Sequence, residues 1–181
     1  MSRKFGILAI WTVVSCLAFV SVYAQNTQLT HLRHKLLVSK EGFRFSVVGE
    51  KARFIPYRHV ELWEIERTLK GWLFTLEVPT GAKPKYLCSR EADADDDEVV
   101  IASEKVTDRC YWQIESSKSD FGLVGFIYQI DADNRRVYLG HGDKKEMVKV
   151  RDGKREVQAA VPILTRTKKP EFEFTFENEG A

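Results

Sequence analysis

Three groups of residues have the type and spacing to do chemistry: a run of cations, a run of acids and a pair of thiols. The cations lie between His141 and Arg155, where Lys144, Lys145, Lys149, Arg151, Lys154 and Arg155 crowd a predicted hairpin and the loop after it. Arg gives sulfate oxygens charge-assisted hydrogen bonds and Lys acts as a point charge, so such a cluster suits a polysulfated chain held in a salt-sensitive way. Asp143, Glu146 and Asp152 interleave with the cations and equally suit a merely solvated face. The acids run from Glu91 to Glu98, six in eight residues. Asp93, Asp95 and Asp97 alternate as calcium ligands would, but no Gly stands at the sixth position and no Glu at the twelfth, so a solvated insertion is the better reading. His31, His34, His59 and His141 lack metal-ligand spacing, and neither a Gly-x-Ser-x-Gly elbow nor a phosphate loop occurs. The expectation is a protein that is not an enzyme and uses no cofactor or metal.

The thiols depend on how the chain starts. Residues 1–24 read as a signal peptide: Arg3 and Lys4, an apolar run from Gly6 to Val22, and the small-residue spacing of Val22-Tyr23-Ala24. An uncleaved anchor is the other reading, although no basic cluster follows the apolar run. Cleavage after Ala24 removes Cys16 and leaves Cys88 and Cys110 in an oxidising compartment, where an even count suggests one disulfide rather than two buried thiols. A secreted, extracellular protein without an Asn-x-Ser/Thr acceptor is expected. The net charge of +2 includes Arg3 and Lys4, so the processed chain is formally neutral and the distribution of charge carries the information. From Asp133 to Lys169 there are eleven Lys or Arg against five Asp or Glu, whereas the segment from Pro170 has four Glu and no base.

The elements that must position these groups are strands. Phe43-Arg44-Phe45-Ser46-Val47 alternates apolar and polar residues, and Trp63-Glu64-Ile65, Trp72 to Val78, Tyr86-Leu87-Cys88, Val99 to Ala102, Tyr111 to Glu115, Gly125 to Ile130, Val137-Tyr138-Leu139, Met147 to Val150 and Val161 to Leu164 follow between turn residues. No segment has convincing helical periodicity. Trp63 and Trp112 stand 49 residues apart, and Ile163 lies 51 beyond Trp112. That recurrence predicts an all-β fold of three four-stranded repeats, a β-trefoil with pseudo-threefold symmetry, with a two-sheet sandwich as the alternative. The predicted organisation is a signal peptide over 1–24, a loose arm over 25–33, the trefoil over 34–169 and an acidic tail over 170–181. In that tail Phe172, Phe174 and Phe176 alternate with Glu as a half-buried strand does. It either pairs with the barrel or offers a strand to a partner.

The run Ala102-Ser103-Glu104-Lys105-Val106-Thr107-Asp108-Arg109-Cys110, then Trp112 and Glu115, beside Tyr86-Leu87-Cys88, resembles the fibroblast growth factor family. The resemblance extends more weakly over residues 33–166, through His34-Lys35-Leu36, Gly42-Phe43 and Val137-Tyr138-Leu139. It implies a secreted, monomeric ligand of a fibroblast growth factor receptor tyrosine kinase, with heparan sulfate or heparin as co-receptor and no nucleic acid. It also implies a Cys88–Cys110 disulfide, heparin binding by the six cations named above, and receptor contacts at Leu37, Glu115, Tyr128 and Leu164. The chain departs from the family pattern in its acidic insertion at 90–98, in Leu37 where an aromatic is usual, and in the sparse glycines of the basic loop. A trefoil lectin is the competing class, but Glu61 and Cys110 stand where such proteins carry Gln. A trefoil protease inhibitor would need a reactive loop, and Arg67-Thr68-Leu69-Lys70 is short for one.

Overall fold

The computed structural model describes residues 31–56, 61–90, 99–116, 124–149 and 155–178. The chain divides into two units, Met1–His31 and Leu32–Ala181, and the strands described below belong to the second, apart from the first residue of the first strand. The predicted signal peptide, most of the loose arm and the acidic run 91–98 lie outside the described residues. Among the described residues no helix is long and apolar enough to cross a membrane.

Twelve strands form the sheet. They are β1 (His31–Ser39), β2 (Arg44–Val48), β3 (Lys51–Ile55), β4 (Trp63–Arg67), β5 (Trp72–Leu76) and β6 (Lys85–Ser89), then β7 (Val100–Ser103), β8 (Tyr111–Ser116), β9 (Val124–Ile130), β10 (Arg136–Lys149), β11 (Glu156–Thr165) and β12 (Glu173–Asn178). Among the described residues the strand registers are antiparallel, and the pairings close on themselves through a circuit of ten strands, β10-β11-β3-β7-β6-β5-β4-β1-β12-β9 and back to β10. The other two strands are chords: β2 bridges β1 and β3, and β8 bridges β5 and β9. Closure leaves few unpaired edges for so many short strands to expose.

The all-β expectation is correct, but the trefoil of three four-stranded repeats is not. The strands form one closed antiparallel barrel, and the third stretch of the chain does not copy the first two. Val137–Leu139 and Met147–Val150, expected as separate strands, belong largely to the single fourteen-residue β10, with a bulge between His141 and Lys145. Ile163 therefore lies in β11 and packs with Phe126, Tyr138 and Phe172, away from the core that holds Trp63 and Trp112. The strand that completes the barrel is β12, from the segment read as a tail: Leu37 pairs with Phe176 on one side and Phe174 with Gly125 on the other. β1 begins at His31, so residues 31–33 of the predicted arm lie in a strand.

Alternation explains which side chains enter the core. In β4 Trp63 and Ile65 are fully buried while Glu64 between them is not, and in β12 Phe174 and Phe176 are buried on either side of Thr175. The indole N–H of Trp63 donates to the carbonyl of Phe45 at 3.3 Å, and that of Trp112 to the carbonyl of Leu87 at 2.8 Å. Each large ring is thus buried without an unmet donor. Gly140 is required by close approach: a Cβ there would stand 2.4 Å from the ring of Phe172, which ends the short 3₁₀ turn Pro170–Phe172 that leads into β12.

Candidate functional site

The cationic hairpin is β10 with β11. Lys145, Met147 and Lys149 share the outward side of β10 and are exposed, and across the ladder they face Ala160, Gln158 and Glu156. Val148 and Val157 lie on the opposite side and pack with Ile55 and Ala159. Glu146, which the sequence set among the cations as a neutralising acid, is occupied elsewhere: it pairs with Arg53, whose side chain is wholly buried and also donates to the carbonyl of Ala52 at 2.7 Å. Lys144 and Arg155 are exposed and each engages a neighbour, while Arg151 and Lys154 lie outside the described residues. Of the six predicted cations, the structure therefore sets Lys145 and Lys149 on one face.

A second group is centred on Glu115 of β8. Lys168 Nζ donates to its Oε1 at 2.5 Å, Arg136 Nη1 donates to its Oε2 at 2.8 Å, and the Tyr138 hydroxyl lies 3.5 Å from Oε2. The Lys168 ammonium, with help from Arg136, holds the Glu115 carboxyl below the ordinary glutamate range, against the opposing effect of burial. Both cations also stack on rings: Lys168 lies 4.3 Å from the Phe126 centroid and Arg136 4.9 Å from that of Tyr128. Tyr138 meets Phe126 edge-on at 6.3 Å and lies 5.7 Å from Tyr128. Register explains the grouping. Glu115 sits opposite Phe126 across β8–β9, and Tyr138 opposite Tyr128 across β9–β10, so side chains far apart in sequence meet on one face.

Of the four predicted receptor residues, Glu115 and Tyr128 belong to this face. Leu164 is half-buried and packs against the main core. Leu37 is a correction: it is 1% exposed, enclosed by β12, and has no surface to offer a partner. The sequence did not point to Lys168 and Arg136, since nothing in their local pattern foretells that both reach Glu115.

The predicted Cys88–Cys110 disulfide is present, joining β6 to the 3₁₀ turn Asp108–Cys110 just before β8. Such a bond is compatible with an extracellular protein. Among the described residues no group of His, Cys, Asp or Glu is arranged to hold a metal ion.

No family model, curated protein or solved structure matches this chain.

Proposed function

We propose that the protein is a secreted signalling ligand that binds the extracellular part of a receptor tyrosine kinase through the Glu115 face, with a sulfated glycosaminoglycan held by the β10–β11 hairpin. The observation that supports this reading best is the Glu115 face: three aromatic rings, Phe126, Tyr128 and Tyr138, capped by two cations that share one carboxylate. Tyr and Arg are the residue types that dominate the energetics of protein interfaces, and here the internal ion pairs fix the side chains before a partner arrives. The resemblance of residues 85–115 to fibroblast growth factors supplies the receptor class. Lys145 and Lys149 supply the support for a sulfated chain, through charge rather than shape.

The test is phosphorylation of a fibroblast growth factor receptor in cells treated with the purified protein, with and without heparin. Tyr128→Ala and Glu115→Ala should each lower potency by about tenfold or more, the scale of an interface hot spot. Inactivity of the unaltered protein at micromolar concentration on every receptor isoform would reject the reading.

A further inference from the structure

On one side β10 outruns its neighbour. Arg136, Val137 and Tyr138 pair with β9, but Phe126 to Val124 of β9 pair with β12 instead, so beyond Tyr138 no described strand accompanies β10 on that side. On the other side the ladder with β11 resumes after the bulge and runs from Lys145 to Lys149. These five residues form an open edge about as long as an ordinary strand. In an antiparallel ladder alternate backbone N–H and C=O groups point away from the partner, and at an open edge they remain available to a further strand. The edge is held in shape by its inward residues: Val148 packs with Ile55 and Ala159, and Glu146 pairs with the buried Arg53. An added strand would therefore meet a template that is already formed.

Side chains decide which strand fits. Lys145, Met147 and Lys149 stand at alternate positions on one side of the sheet, and Met147 is 61% exposed. Neither Lys145 nor Lys149 has an ion-pair partner among the described residues. The acids nearby are placed or engaged elsewhere. Glu146 is held by Arg53 on the inward side, Asp143 lies within the bulge, and Glu156 faces Lys149 from β11. An incoming strand would lie about 4.8 Å from β10 on the side away from β11, which leaves Glu156 one strand further off. The charges nearest to it are therefore the two lysines, with a flexible thioether between them.

We propose that the β10 edge takes up an extended segment of a partner protein as an additional strand, one carrying an aliphatic residue with a carboxylate two positions to either side. Each carboxylate then sits opposite a lysine and the aliphatic residue opposite Met147, in whichever direction the segment runs. A second copy of this chain is excluded by the same rule. Antiparallel pairing of two β10 edges about Met147 would set Lys145 against Lys149, and parallel pairing in register would set each lysine against itself. Lysine on an edge ordinarily blocks strand addition. Here its period of two turns the block into a selection for acids. This inference rests on the open edge and its register and not on the receptor reading. A sulfated chain would use the same two lysines but no backbone group of β10, so the test reads the backbone as well as the charge.

The probe is a fluorescein-labelled peptide, Thr-Glu-Thr-Leu-Thr-Glu-Thr, titrated by fluorescence anisotropy with the disulfide-bonded protein. Its control, Thr-Glu-Glu-Leu-Thr-Thr-Thr, has the same composition and charge but sets the two acids on opposite sides of a strand. The first peptide should bind and the control should bind several-fold more weakly. Lys145→Glu combined with Lys149→Glu, at exposed positions where the melting curve should not move, should weaken binding about tenfold and admit Thr-Lys-Thr-Leu-Thr-Lys-Thr in its place. Hydrogen–deuterium exchange should show amides between Lys145 and Lys149 slowed by the bound peptide. Glu115→Ala and Tyr128→Ala should leave binding unchanged, which separates this edge from the proposed receptor face. The inference is overturned if the acidic peptide fails to bind at micromolar protein, if the control binds equally, if the charge-reversed variant binds as before, or if binding leaves amide exchange in β10 unaltered.

Discussion

Removing β12 tests the closed barrel most directly. Truncation after Lys169 deletes Phe172, Phe174 and Phe176, each 2% exposed or less, and strips the partner from both β1 and β9. Deleting one buried Phe side chain costs about 3–5 kcal/mol, because lost transfer energy and an unfilled cavity add. Three such losses come to about 10 kcal/mol, comparable with the whole stability of a typical domain, which is about 5–15 kcal/mol. The truncated protein should therefore show no cooperative unfolding transition by circular dichroism. Phe174→Ala alone should fold but lose about 3–5 kcal/mol, a fall in Tm of roughly 10 °C for a domain of this size. Glu177→Ala, at a partly exposed position of the same strand, should change stability by less than about 0.5 kcal/mol. A truncated protein that still melted cooperatively within a few degrees of the full chain would refute the assignment of β12 to the barrel.

Four further outcomes follow from the same structure. Replacing Cys88 and Cys110 by Ser opens a loop with a sequence separation of 22 residues and should cost about 3 kcal/mol on the chain-entropy view, read as a shift in the denaturant midpoint. Gly71→Ala should destabilise by more than 1 kcal/mol in thermal melts: its φ is +142°, and an added Cβ would stand 2.6 Å from the carbonyl oxygen of Trp112. The depressed Glu115 carboxyl contributes stability that is fully present above the unfolded-state pKa of about 4.3 and lost as pH falls through its lower folded value. Glu115→Gln should accordingly lower stability at pH 7 and narrow its gap to the unaltered protein at pH 3. Lys145→Ala with Lys149→Ala should elute from heparin at visibly lower salt with an unchanged melting curve, and identical elution would remove the hairpin from the proposed glycan site.

Strand positions were legible in the sequence because burial imposes a period of two. Trp63-Glu64-Ile65 and Phe172 to Phe176 announce their inward residues directly. The closure was not legible. The spacing of Trp63, Trp112 and Ile163 suggested a third copy, yet pairing depends on partners far away in sequence, and it was Phe174 that entered the main core. Leu37 was misassigned for a similar reason, since its burial comes from β12, 139 residues further on at Phe176. For the sites, clustering of like charge revealed the hairpin but not the direction of each side chain. Glu146 turned inward to Arg53 because β11 lies against β3 at Ala160 and Phe54, a register no local pattern encodes. Glu115 was named by resemblance, whereas Arg136 and Lys168 reached it only through tertiary folding.

The pairing of Lys35 with Asn178 brings the start of β1 and the end of β12 to a common seam. His31 stands four residues before Lys35, a span of roughly 13 Å along a strand, so a linker of about five residues could join Asn178 to His31. New ends could be cut in the exposed turn at Thr80-Gly81, between β5 and β6. Such a permuted chain would keep every ladder of the barrel while moving its ends to the turn between β5 and β6.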